Sequence, residues 1–180
     1  MKKWKCILAL LPLAATMLTS CRDVPVIDVQ PDKGDTLKEN MINANRYIAK
    51  SEETQIDNYV ARRQWQMKRL SGGARVMVLT AGSGRQIGYE DTVTLRYRVE
   101  AINGAVIYDQ VEETVVAGHL QPVRGLDAAL LTLHYGSRAR VILPSEQAYG
   151  VVGDGDRIGS RIVLVYELEI VNQSNTKNQH

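Results

Sequence analysis

Phenylalanine is absent from these 180 residues, so every aromatic task falls to eight tyrosines and two tryptophans. A buried tyrosine needs a partner for its hydroxyl, so any aromatic pocket here must also carry polar groups. Cysteine is nearly missing as well: Cys6 and Cys21 are the two present, too few for the disulfide framework of a small exported scaffold. The three histidines, His119, His134 and His180, stand at no metal-ligand spacing from a cysteine, which leaves the usual zinc signatures unmatched. No serine occupies a nucleophile elbow, and Asp154-Gly155-Asp156 is too short for a calcium-binding EF-hand loop and reads as a turn. Charge of one sign is lacking too. With 22 Lys and Arg against 20 Asp and Glu, nothing favours nucleic acid as a partner.

The chain opens on Met1-Lys2-Lys3-Trp4-Lys5, a short basic stretch, followed by an apolar run from Ile7 to Leu18. That run is too short and too interrupted to span a bilayer and reads as a secretory signal over residues 1–20. It ends in Leu18-Thr19-Ser20-Cys21, an apolar residue, two small residues and a cysteine, which resembles the lipobox read by lipoprotein signal peptidase. Cleavage before Cys21 and lipidation of its thiol are expected, and a multi-chain anchor holds a bilayer far more firmly than one acyl chain. Cleavage would remove three lysines and leave 19 basic against 20 acidic residues. Residues 22–35 mix Pro, Gly and acids without a helical period, so 21–35 reads as anchor and extended tether. The polar residues 173–180 read as a disordered tail.

From Thr36 the periodicity changes. Leu37, Met41, Ala44 and Ile48 recur at spacings of three and four, and Ile56, Tyr59, Val60 and Arg63 follow after Ser51, so two short amphipathic helices are expected within a helical preface at 36–73. Ser51 with Glu52 and Glu53 suits an N-cap with acids in the first turn. Pairing with a second copy is one use for such helices; their shortness and lack of sustained heptads favour packing on the domain that follows, residues 74–172. There, apolar and polar residues alternate without fault from Val93 to Glu100, the mark of a strand with one buried face. Asn103-Gly104 is a type I′ hairpin dipeptide that returns the chain through Ala105 to Tyr108. A helix is expected at 126–134, with Leu126, Leu130 and Leu133 on one stripe and Gly136 to end it. Residues 140–143, a Gly-rich loop from Gly150 to Ser160 and a last strand at 162–171 complete an α+β domain, an antiparallel sheet of five or six strands curled over one short helix.

Five segments in this order are similar to those of the FKBP-type peptidyl-prolyl cis-trans isomerases over about residues 74–172. They are Val93-Thr94-Leu95-Arg96-Tyr97; Asn103-Gly104 with Tyr108-Asp109; Pro122-Val123-Arg124-Gly125-Leu126; Leu143-Pro144 with Ala148-Tyr149-Gly150; and Leu164-Val165-Tyr166-Glu167-Leu168-Glu169. With the lipobox and helical preface, the whole resembles a lipoprotein subgroup that includes gliding-motility-associated members. The resemblance implies a pocket of Tyr97, Tyr108, Asp109, Val123, Leu126, Tyr149, Ile158 and Tyr166. It assigns catalytic roles to Asp109, Tyr149 and Tyr97, and substrate binding to the others, Val123 through its N–H. On packing alone, Tyr97, Tyr166 and Ile158 read as core, whereas an acid at Asp109 beside an apolar run needs a reason. Leu126 stands where the family has Trp, Tyr108 and Tyr166 where it has Phe, and Ile158-Gly159-Ser160 where Ile-Pro-Pro is common, so a shallower and more polar pocket is expected. No cofactor is implied. The implied partners are proline-containing exported polypeptides and, through the anchor, a membrane; the implied place is the cell envelope, on the periplasm-facing outer membrane. A reading of another class stays open at this point, a peptide-binding chaperone module with little turnover.

Overall fold

The computed structural model describes residues 34–171. The leader, Cys21, the tether up to residue 33 and the tail at 173–180 lie outside the described residues.

The alternation in strand β3 (Thr92–Ala101) is realised as expected: Val93, Leu95 and Val99 are buried while Arg96 and Arg98 are exposed. Around it the chain builds β1 (Lys68–Arg69), β2 (Arg75–Thr80), β4 (Val106–Val116), β5 (Arg138–Leu143) and β6 (Leu164–Ile170). They form one sheet in the order β1-β2-β5-β6-β3-β4, every pair antiparallel. The sheet therefore starts at Lys68, inside the segment expected to be a helical preface. The β3–β4 hairpin is not the expected type I′ turn. Gly104 has φ 92 but Asn103 does not have positive φ, and Ala101 receives the Gly104 N–H while its own N–H goes to Ala105. That is a three-residue loop with glycine at the left-handed position.

Helix α2 (Arg124–Leu130) covers the concave face, burying Leu126, Ala129 and Leu130. It is shorter than the helix expected at 126–134. The carbonyls of Leu131 and Leu133 accept from Gln86 and from the Ile87 N–H, which draws the chain off the helical path. Leu133 is nevertheless buried at 1 % exposure, in the same cluster as Val76, Leu95, Val141, Leu164 and Leu168. Glycine at 125 is a packing requirement, because a Cβ there would stand 2.7 Å from the Leu143 side chain and 2.9 Å from that of Gln147.

The convex face is covered by residues 52–60 of α1 (Gly34–Arg62), a single helix of 29 residues where two short ones were expected, whose earlier Met41 and Tyr47 are exposed. Ser51 is competent to cap a helix but does not interrupt one, and no glycine or proline occurs between Gly34 and Gly72 to do so. Ile56 and Tyr59 pack on Ile142, Val163 and Val165. That second contact explains why Ile142-Leu143 and Val163-Leu164-Val165 are apolar without alternation: both faces of the strands are buried there. Two buried polar side chains set the helix register. Glu52 accepts from the N–H and hydroxyl of Ser145 (2.9 and 2.6 Å), and Arg75 donates to Asp57 (2.7 Å) and to the Gly73 carbonyl (2.6 Å). The ion pairs Arg96–Glu112 and Arg138–Glu167 lie on the surface and add little.

Since Ile56 is fully buried, Ile56→Ala removes core contact without touching α2. A loss of about 2–5 kcal/mol in unfolding free energy is expected, read from the urea midpoint, with the tertiary signature of the tyrosines retained in the folded baseline.

Candidate functional site

Four tyrosines from four segments converge above α2. Tyr97 lies on β3, Tyr108 on β4, Tyr149 follows the 3-10 turn Ser145–Gln147, and Tyr166 lies on β6. The β3–β6 pairing sets Val99 opposite Tyr166 and Tyr97 opposite Leu168, which brings the Tyr97 and Tyr166 rings to 5.7 Å between centroids, tilted by 53°. Val123, Leu126 and Ile158 are buried with Tyr166 in the same cluster, and Tyr97, Tyr108 and Tyr149 pack against it half-buried. Seven of the eight pocket residues implied by the resemblance are thus brought together. Val123 precedes the first turn of α2, and Val151 and Val152 extend the apolar surface beyond Tyr149, with Val152 89 % exposed.

Asp109 is the exception. It lies in a bulge: Tyr97 pairs with Val111 and Val99 with Tyr108, so that Arg98 alone on β3 faces Asp109 and Gln110 on β4, and Gln110 adopts φ 52. The extra residue puts both Val111 and Tyr108 on the concave face and leaves Asp109 beside Arg98, 3.7 Å away, with half of its side chain exposed. The polar wall expected of Asp109 is supplied by residues the sequence did not single out for it. Glu113 accepts the Tyr97 hydroxyl at 2.9 Å. Asp154 accepts the Tyr108 hydroxyl at 2.5 Å, and Asp156 lies 3.2 Å from the same oxygen. The segment read only as a turn therefore also closes the pocket: the other Asp154 oxygen accepts the N–H groups of Asp156 (2.9 Å) and Ile158 (2.8 Å). Only the β3–β4 register could have pointed to Glu113, which faces inward opposite Leu95.

These contacts fix the charge state of the rim. Burial and then the Glu113 carboxylate push the Tyr97 phenol well above its ordinary range. The Asp154 carboxylate, followed by burial, lifts Tyr108 to about 12. Burial raises Tyr149, and with its tyrosine neighbours raises Tyr166, the most deeply enclosed. Burial also pushes the Asp154 carboxyl up, but the Tyr108 hydroxyl and the N–H groups of Asp156, Ile158 and Arg157 outweigh it and hold it below the usual carboxylate range. Near neutral pH the site is therefore four neutral phenols edged by carboxylates, an apolar floor with hydroxyls above it. Among the described residues no group of three His, Cys, Asp or Glu gathers to hold a metal ion.

Comparison with known proteins agrees with this geometry. The model of the FKBP-type peptidyl-prolyl cis-trans isomerase family matches residues 84–171. A probable FKBP-type 25 kDa peptidyl-prolyl cis-trans isomerase of Pseudomonas aeruginosa is 36 % identical over 105 residues, 58 % of this chain and 46 % of that protein. The outer membrane protein MIP of Legionella longbeachae is 29 % identical over 106 residues, 57 % of this chain and 45 % of that one. The chain thus spans about half the length of the curated relatives it matches. Among solved structures, a peptidyl-prolyl cis-trans isomerase of Pseudomonas syringae superposes with a TM-score of 0.60 at 27 % identity, covering 70 % of this chain and 92 % of that one. Residues 84–171 thus match the FKBP-type peptidyl-prolyl cis-trans isomerase family in sequence, and the sheet wrapped over α2 resembles a peptidyl-prolyl cis-trans isomerase in fold.

Proposed function

We propose that this chain accelerates cis-trans isomerisation of X-Pro bonds in exported polypeptides, in the tyrosine pocket above Leu126. The observation that carries the reading is Tyr149, a half-buried phenol whose hydroxyl meets that of Tyr166 at the edge of an apolar cluster. The reaction needs no nucleophile. Resonance in the C–N bond sets a barrier of about 18–20 kcal/mol, so a catalyst has only to bind the twisted amide better than either planar form. A twisted amide has lost resonance and polarity, which an apolar floor of Leu126, Ile158 and Val123 favours. The Tyr149 hydroxyl donates to a substrate carbonyl, and the Val123 N–H takes the neighbouring one. Glu113 and Asp154 hold the Tyr97 and Tyr108 rings as walls. The exposed Val151 and Val152 give an unfolded client an apolar lip beside the pocket.

Membrane attachment belongs to the same proposal: a lipid on Cys21 would tether the domain to the periplasmic side of the outer membrane. Cys21→Ala should leave an uncleaved precursor and abolish labelling by a radioactive fatty acid; continued labelling of the variant would dispose of the anchor.

Tyr149→Phe keeps the ring and removes one neutral hydrogen bond, worth about 0.5–1.5 kcal/mol. At 1.36 kcal/mol per factor of ten, a roughly two- to tenfold loss of kcat/KM follows, measured with a protease-free proline isomerisation assay on the purified chain. If the unaltered chain shows no activity above buffer in that assay while suppressing aggregation of an unfolded client, the isomerase reading is wrong.

The bulge in β4 separates two carboxylates that a regular strand would not. Glu113→Gln weakens a charge-assisted bond to Tyr97 by about 0.5–1 kcal/mol, and kcat/KM should fall roughly two- to fivefold. Asp109→Asn, on the convex side, should leave kcat/KM unchanged. The reverse ranking would restore Asp109 to the pocket.

A further inference from the structure

The backbone around Tyr149 is tied on two sides: the Ser145 carbonyl accepts the N–H of Ala148 at 3.0 Å and of Gly150 at 2.8 Å, on either side of Tyr149, while the Tyr149 and Gly150 carbonyls accept the N–H groups of Gly153 (3.2 Å) and Arg161 (2.8 Å). Ser145 is 1 % exposed, and its two remaining polar groups both donate to one side chain, that of Glu52, its N–H at 2.9 Å and its hydroxyl at 2.6 Å. Glu52 is 7 % exposed and lies on α1, outside residues 84–171 that the family model matches.

From this chain of bonds we infer that Glu52 is a positioning residue for isomerisation: α1 holds, through Ser145, the turn that presents the Tyr149 hydroxyl to the substrate. This rests on the isomerase reading above. An ionised carboxylate is acceptor-only and can satisfy both Ser145 donors with its two oxygens. The bonds are charge-assisted and buried, so they are strong and costly to leave unmade. Without that acceptor the turn loses the side-chain hydrogen bonds that tie it to α1. Ser145 then reorients to find partners for its N–H and hydroxyl. Tyr149, four residues on, moves with the Ala148 and Gly150 bonds. The helix that covers the convex face thereby acts on the concave one, without touching the substrate.

The test uses the full chain in three forms, Glu52→Ala, Glu52→Gln and Glu52→Ala combined with Tyr149→Phe. Each is checked for folding by its urea transition and assayed under conditions where it is fully folded. Glu52→Ala should lower kcat/KM by about the same factor as Tyr149→Phe, roughly two- to tenfold, and the double variant should be no slower than Tyr149→Phe alone. Glu52→Gln keeps one acceptor oxygen and should fall between Glu52→Ala and the unaltered chain. Multiplying losses in the double variant would mean that Glu52 does not act through Tyr149 and would overturn the inference. A second readout is independent of activity: hydrogen exchange at the Ala148 and Gly150 amides should quicken more than tenfold in Glu52→Ala while the α2 amides hold. Unchanged exchange at those two amides overturns the clamp even if the chain is an active isomerase. Quickened exchange in a chain with no isomerase activity leaves the clamp and overturns the functional reading, taking the catalytic role of Glu52 with it.

Discussion

Seven residues of helix have to close one face of a six-stranded sheet, and most of the architecture follows from that constraint. So short a helix leaves apolar surface open unless the sheet curls over it and the two approach closely. Gly125 permits the approach, since any side chain there would meet Leu143 and Gln147. Bulges in β4 supply curvature at the edge. Beyond α2 the same face carries Tyr97, Tyr108 and Tyr166, with Tyr149 packed beside them, and these make the candidate site. The site is thus lined by the same cluster that stabilises the fold.

The opposite face obeys a different rule. Strands β5 and β6 are apolar on both sides over Ile142-Leu143 and Leu164-Val165, and without α1 the convex side would expose Ile142, Val163 and Val165. Ile56 and Tyr59 cover them, while Glu52 and Arg75 fix where along the sheet the helix sits. Directional bonds to buried partners specify register in a way that apolar contact alone does not. One of those two bonds ends on the turn that carries Tyr149, so convex-face packing and pocket geometry share a residue.

How much of this could be read from the residues alone depends on whether the deciding contact is local. The alternation from Val93 to Glu100 and the burial of Leu126, Leu130 and Leu133 are local, and they stand where expected. Ser51 misled because capping competence is a local property, whereas ending a helix requires something that cannot continue it. The placement of Asp109 shows the complementary case. Its neighbours suggest an inward acid, but a bulge is decided by how β3 and β4 pair, and one extra residue reverses the face. Glu113 and Asp154 were invisible as site residues because their importance arises only after register and loop path have placed them beside phenols 16 and 46 positions away in sequence.

The absence of phenylalanine then acquires a structural meaning. Replacing phenyl by phenol around a pocket adds hydroxyls to an apolar wall, and each must be satisfied or the wall is destabilised. Here Tyr97 turns to Glu113, Tyr108 to Asp154, and Tyr149 and Tyr166 to each other. A carboxylate is the acceptor least able to compete for the hydroxyl's role as donor, since it has no proton to offer. Its charge also holds the phenol protonated, raising Tyr97 and Tyr108 together with burial. The result is a rim whose hydroxyl directions are fixed from outside the pocket, so that the rings present apolar faces inward. Tyr149 and Tyr166 pair with each other rather than with a carboxylate, and of the two Tyr149 is the less buried. That difference in burial is why Tyr149 rather than Tyr166 is the proposed donor to a substrate carbonyl.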